Sequence, residues 1–310
     1  MVELGYRPNK VARALTLQRT NTVGMVIPDV ANPFFGELMR GVEEVARGIG
    51  CCVLFGNTDN NPVEERRYLT EFSERRVDGL LVVVAAGGDG IVSALPSSVP
   101  VVALDRVPEG WSADAVVVDN RHGIEQAVAH LVKLGHRRIG FIGGDQTQST
   151  GRERRSGFEE ALARRGLEPA WISEGPFSLD SGHAQADHLF RQPRSRWPTA
   201  LVAANDLLAL GVLAAAREAS VAIPDDLSVC GFDDIAYAAL AVPPLTSVRQ
   251  PAREIGAQAA RLLFDRIEGR AGPPQTRVVR TTLIVRASTT KVAPTDAGSP
   301  ATAAGDSSAS

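Results

Sequence analysis

Short unbroken apolar runs alternate with amphipathic stretches along most of this chain. The apolar runs fall at 23–27, 51–55, 80–84, 101–104, 116–118, 139–142, 200–203 and 227–230. They are rich in Val, Ile and Leu without in–out alternation, as strands buried on both faces require. Between them, residues 34–49, 64–75, 123–134, 152–165, 181–190 and 206–219 carry apolar positions at helical spacing. Strand–helix alternation predicts parallel sheets in an α/β fold. The series restarts after Leu134-Gly135-His136, so two sheets are expected. Beyond the second set lie an extended stretch at 245–250, a helix at 252–268 and a last strand at 278–285. This leftover strand and helix imply that the chain crosses back between lobes. Residues 291–310 are small and polar without periodicity, which predicts a disordered tail.

Composition narrows the class. The 310 residues are 44% hydrophobic and 22% charged, enough for two domains with their own cores. No apolar run is long enough to span a membrane, and the first residues do not form a signal peptide. Cys51, Cys52 and Cys230 make no disulfide framework. A cytoplasmic location without membrane attachment is therefore expected. The five histidines show no metal-ligand spacing with Cys or Glu. There is no Gly-x-Ser-x-Gly and no phosphate-binding Gly-rich loop. Enzymatic activity, a metal and a cofactor are accordingly not expected.

Charge is unevenly placed. Arg7, Lys10, Arg13 and Arg19 face only Glu3 at the start of a chain whose net charge is −3. A basic lead-in on an acidic body points to an anionic partner at that end.

A set of short motifs then stands in one order: Leu4-Gly5-Tyr6-Arg7-Pro8-Asn9, Asn32-Pro33-Phe34-Phe35, Asp78-Gly79-Leu80, Leu104-Asp105-Arg106 and His130-Leu131 with Leu134-Gly135-His136-Arg137. Arg154 with Gly157-Phe158, Asn205-Asp206 with Ala209-Leu210-Gly211, Gly231-Phe232-Asp233-Asp234 and 244–251 follow. In this order the chain resembles the lactose/galactose-repressor (LacI/GalR) family of bacterial transcription regulators, over roughly residues 4–288. The resemblance implies a two-lobe fold of periplasmic-binding-protein type (type I). Each lobe is a parallel sheet flanked by helices, three crossovers join the lobes, and a hinge helix precedes them. The corresponding division is 1–19 for the end of a helix-turn-helix plus hinge, 20–135 with 247–271 for the first lobe, and 136–246 with 272–290 for the second. It also implies a homodimer, possible tetramers, operator DNA as partner and a small effector between the lobes.

In the family the segment after Tyr-Arg-Pro-Asn is a hinge helix that enters the minor groove. Here Leu15 matches the leucine wedged between base steps, and Lys10 and Arg13 would meet phosphate or groove floor. A solvated basic helix is the plainer alternative. Most of the family's helix-turn-helix is expected to be missing from this sequence, whether trimmed away, encoded upstream of Met1 or naturally absent.

The cleft can be argued from chemistry. Asn32, Asp105, Asn205 and Asp233 each follow a predicted strand, at the carboxyl ends where open α/β sheets bind ligands. The resemblance to ribose-type binding proteins implies effector contacts from Asn32, Phe34, Phe35, Asp105, Arg106, Arg154, Phe177, Asn205, Asp233 and Gln250. Carboxylates accept, guanidinium forks donate and amides do both, which suits a ring of hydroxyls. A monosaccharide such as a pentose fits this set better than a purine. Several residues have a plainer reading: core packing for Phe34 and Phe35, a cap or dipole partner of its helix for Asp206, a helix cap for Asp234, a surface ion pair for Arg106, a basic helix face for Arg154. Asp119 stays open. A repressor with a sugar effector is the main expectation; a solute-binding protein of a transport system is the alternative.

Overall fold

The computed structural model describes residues 19–85 and 99–292. Lys10, Arg13, Leu15 and the tail from 293 lie outside the described residues. The first lobe is built by β1 (Thr22–Ile27), α1 (Pro33–Gly48), β2 (Cys52–Asn57), α2 (Pro62–Glu74), β3 (Gly79–Val82), β4 (Val101–Leu104) and β5 (Asp114–Val118). The second is built by α3 (Asn120–Lys133), β6 (Ile139–Gly143), α4 (Ser149–Ala163), β7 (Trp171–Glu174), α5 (Leu179–Phe190), β8 (Ala200–Ala203), α6 (Asp206–Glu218), β9 (Ser228–Asp233), α7 (Ala236–Leu240) and β10 (Thr246–Arg249). The chain then returns through α8 (Ala252–Ile267) and β11 (Thr276–Val279) before ending on β12 (Thr282–Ile284).

Both sheets are six-stranded, in the orders β11-β5-β4-β3-β1-β2 and β12-β10-β9-β8-β6-β7. Only the β10–β12 pair is antiparallel among the described strands. Apolar runs without alternation arise because both faces of each sheet are covered. In the first lobe Met25, Leu81 and Val102 pack toward α1 and α8, while Val26, Leu80 and Val82 pack toward α2. Helices begin slightly before their apolar stripes because polar residues cap them. Asn32, Asn61 and Asn205 accept from backbone amides of their own first turns, and Pro33 and Pro62 occupy the helix starts.

Three crossovers join the lobes, at positions that correct the expected division. The first lies at Asp119, since α3 packs on α4, β10 and β12 rather than on the first lobe. The second lies at Gln250–Pro251, because β10 stays paired with β9. The expected last strand at 278–285 is two strands: β11 pairs with β5 in the first sheet, and β12 pairs with β10 in the second. The apolar run hides this because it continues through Arg280-Thr281, where the chain changes lobe. The strand β7 had no clear signal; its half-exposed Trp-Ile-Ser-Glu edges the sheet against β6.

The return helix α8 is seated on α1 by glycine. A Cβ at Gly41 would stand 2.0 Å from the Arg253 carbonyl oxygen, and one at Gly256 would stand 2.0 Å from that of Leu38. Backbone meets backbone here, so no side chain can give way. Gly41→Ala is expected to cost about 2–3 kcal/mol as overpacking, measured by urea denaturation; a loss below about 0.5 kcal/mol would mean the helices part easily.

Candidate functional site

The carboxyl ends of the two sheets face each other across a narrow, polar-lined cavity of about 20 Å³. All ten positions expected at the cleft line it: Asn32, Phe34, Phe35, Asp105, Arg106, Arg154, Phe177, Asn205, Asp233 and Gln250. Thr150 in the first turn of α4 also lines it. Asn32 and Asn205 each use Oδ1 to cap a helix, at 3.0 Å to Phe34 N and 2.9 Å to Leu208 N. Phe34 and Phe35 meet edge to face at 5.2 Å between centroids. They line the cavity and belong to the first lobe's core at once.

Four charged groups meet in this buried space. Arg154 and Asp233 come from the second lobe, Asp105 and Arg106 from the first. Arg154 Nε donates to Asn120 Oδ1 at 2.9 Å, and its Nη1 donates to the Ala204 carbonyl at 2.7 Å and to Asp233 Oδ1 at 3.4 Å. The guanidinium carbon lies 4.0 Å from the Phe232 ring centroid, a cation–π contact. Gln250 Nε2 donates to the same Asp233 oxygen at 2.6 Å. Arg106 Nη1 donates to Asn60 Oδ1 at 2.8 Å and to the Val84 carbonyl at 3.3 Å. Asp105 and Asp233 hold positive φ, 60° and 105°, in the region that disfavours a side chain. Strained backbone of this kind persists where surrounding structure enforces it, often at ligand sites.

The cavity leaves polar atoms without partners. Asp105 Oδ1, Arg106 Nε and Gln250 Oε1 are buried and make no hydrogen bond among the described residues. Burial pushes the Asp105 carboxyl up against the pull of Arg106 and Arg154, and it pushes the Arg106 guanidinium down. Burial also raises Asp233 to about 6, although Arg154 and Gln250 both pull it back. Each orphaned atom carries a desolvation cost that a suitable ligand would remove. Among the described residues, no group of three His, Cys, Asp or Glu side chains could hold a metal ion.

The same architecture recurs in known proteins. A family model described as a periplasmic binding protein-like domain matches residues 128–289. The HTH-type transcriptional regulator DegA of Bacillus subtilis (strain 168) is 36% identical over 295 residues, covering 93% of this chain and 87% of that protein. The chain belongs to the LacI/GalR family of transcriptional regulators. The transcriptional regulator CelR, solved in complex with cellobiose, superposes with a TM-score of 0.80 at 35% identity, covering 92% of this chain and 87% of that one. The Lac repressor dimer, solved bound to operator and the anti-inducer ONPF, gives 0.83 at 25% identity over 92% of this chain and 100% of that one. These relatives are transcriptional regulators rather than enzymes or transport proteins.

Within the regulator several plainer assignments change. Asp119 caps α3 through Oδ1 to His122 N at 2.9 Å, and it is the next residue, Asn120, that reaches a cleft side chain. Asp206 does not cap its own helix. It is fully buried and accepts from Ser247 Oγ at 2.6 Å and from Ile235 N at 2.8 Å, joining β10 to the start of α7. Asp234 caps nothing; it pairs with Arg249 and Arg286 at 2.7 Å each. Arg106 is buried in the cleft rather than paired at the surface. Asn60 and Asn120 were missed because their partners, Arg106 and Arg154, come from distant segments. Asn120 could have been suspected only from its place beside Asp119.

The raised Asp233 has a stability consequence. Its folded-state value exceeds the unfolded one, so its contribution is intact below about 4 and is lost as pH rises through about 6. Relative to Asp233→Asn, the wild type is expected to lose roughly 2 kcal/mol between pH 4.5 and 7.5 in chemical denaturation. A pH-independent difference would contradict the assignment.

Proposed function

We propose that this regulator binds a small sugar between its lobes and that the bound sugar controls its hold on operator DNA. The observation that carries this reading is the set of buried, unpartnered atoms on Asp105, Arg106 and Gln250 in one cavity. Those atoms are two acceptors and one donor, from three different side chains. A sugar hydroxyl both donates and accepts, so adjacent hydroxyls can serve carboxylate, guanidinium and amide together. The rings of Phe34, Phe35 and Phe177 supply apolar lining for the faces of a sugar ring. Cellobiose in the CelR complex supports the same ligand class. A monosaccharide such as a pentose is the first candidate, sitting among Asn32, Asp105, Arg106, Arg154, Asn205, Asp233 and Gln250.

The sugar acts by shifting the population between lobe arrangements, and the size of the shift is bounded by its differential affinity for them. The crossovers at Asp119, Gln250–Pro251 and Arg280-Thr281 are where such a rotation is absorbed. The regulator works as a homodimer on operator DNA in the cytoplasm, as the operator-bound Lac repressor dimer supports. Lys10, Arg13 and Leu15 are its hinge contacts to that DNA.

A thermal-unfolding screen with D-ribose, D-xylose, D-glucose, cellobiose, adenine and hypoxanthine tests the reading. A sugar at about 100 times its Kd is expected to add about 2.7 kcal/mol of stability. Asp105→Asn and Arg106→Ala should each abolish that gain. A gain with purines alone, or a sugar gain that survives both substitutions, would refute the cleft assignment.

A further inference from the structure

The contact in the buried Arg154–Asp233 pair is long. Its Nη1–Oδ1 distance is 3.4 Å, whereas relaxed charge-assisted hydrogen bonds close to about 2.7–2.9 Å. Both groups are buried, so attraction between them is weakly screened and should draw them together. Something on the Arg154 side resists.

Three contacts hold the guanidinium in place. The Ala204 carbonyl takes Nη1 at 2.7 Å, the Phe232 ring lies beneath at 4.0 Å, and Asn120 Oδ1 takes Nε at 2.9 Å. Asn120 is itself locked. It is buried as the first residue of α3, and its Nδ2 donates to Glu153 Oε2 at 2.7 Å. A carboxylate can only accept, so the amide cannot turn over and Oδ1 must face Arg154. On the other side, Gln250 fills the same Asp233 oxygen at 2.6 Å.

We propose that Asn120 is a positioning residue that braces Arg154 back from Asp233, keeping their contact long so that a ligand hydroxyl can displace it. A closed pair would satisfy both groups and would have to be broken before a hydroxyl could enter. A pair held at 3.4 Å is a long contact that an incoming hydroxyl displaces more easily than a fully closed one. The brace sits directly after the first crossover, so the charge pair and the inter-lobe connection share one anchor. Its functional meaning rests on the cleft being the effector site, whereas its geometry can be tested without any effector.

The charged groups around Asp233 are Arg154 from α4, Asp105 and Arg106 from the end of β4, Asp206 from α6 and the adjacent Asp234. Of these, Arg154 is the one that Asn120 touches. The test is a carbon-13 NMR titration of the Asp233 carboxyl in the ligand-free protein, assigned by its loss in Asp233→Asn. The wild-type midpoint is expected at about 6. In Asn120→Ala the released guanidinium closes on the carboxylate, and the midpoint is expected to fall by about one pH unit. Asn120→Asp keeps an acceptor for Nε and should hold the midpoint at or above the wild-type value. A purely structural role would lower the melting temperature and leave the Ala midpoint at about 6. An unchanged or raised Ala midpoint, or a lowered Asp midpoint, overturns the proposal. If the Ala variant does not fold, Glu153→Ala frees the Asn120 amide to turn and should also lower the midpoint; no change there overturns the proposal equally. Failure of the sugar screen would leave these titrations readable, so the two ideas fail separately.

Discussion

Two acid–arginine pairs buried between the lobes are the constraint around which this regulator is arranged. Charges removed from water carry large desolvation penalties that pairing only partly offsets. Asp105 and Arg106 are adjacent in sequence and cannot form an ideal fork; Arg106 Nε stays 3.7 Å from Asp105 Oδ2. Arg154 and Asp233 come from different elements and are held at 3.4 Å. Neither pair is optimised as an ion pair, and both sit on or beside strained backbone. A protein selected only for stability would fill such a space with apolar side chains. The cost makes sense if a polar ligand completes the site.

The fold makes that cost bearable by keeping the rest of each lobe dry and tightly packed. Each sheet is covered on both faces, and α8 is locked on α1 by glycine contacts that allow no slack. Among the described residues the chain passes between the lobes at three short crossovers, and side chains such as Gln148 and Ile235 touch across the cleft. Two of those crossovers carry cleft chemistry: Asn120 follows the first, and Gln250 lies in the second. The charge pair and the connections between the lobes therefore share neighbouring residues.

Much of this was legible in the sequence. Doubly covered strands advertise themselves as unbroken Val/Ile/Leu runs, so both sheets could be read from pattern alone. Cleft positions were legible because strand ends in α/β folds mark ligand sites, and Asn32, Asp105, Asn205 and Asp233 stand at such ends. Lobe boundaries were not, because local pattern cannot tell which sheet a strand joins. Thr246–Arg249 and Thr276–Val279 look alike as strands and pair in different sheets. Nor could pattern reveal Asn60 and Asn120, whose roles depend on Arg106 and Arg154 arriving from segments far away in the chain.

The proposed sugar site depends on a hydroxyl binding the ionised Asp233 beside Arg154. Calorimetric titration of the strongest-binding sugar at pH 7.5 and at pH 5.0 tests it most directly. Protonation below about 6 removes the charge that strengthens the hydroxyl's hydrogen bond, so Kd should weaken by up to about tenfold at the lower pH. Affinity that is unchanged or tighter at pH 5.0 would contradict the account.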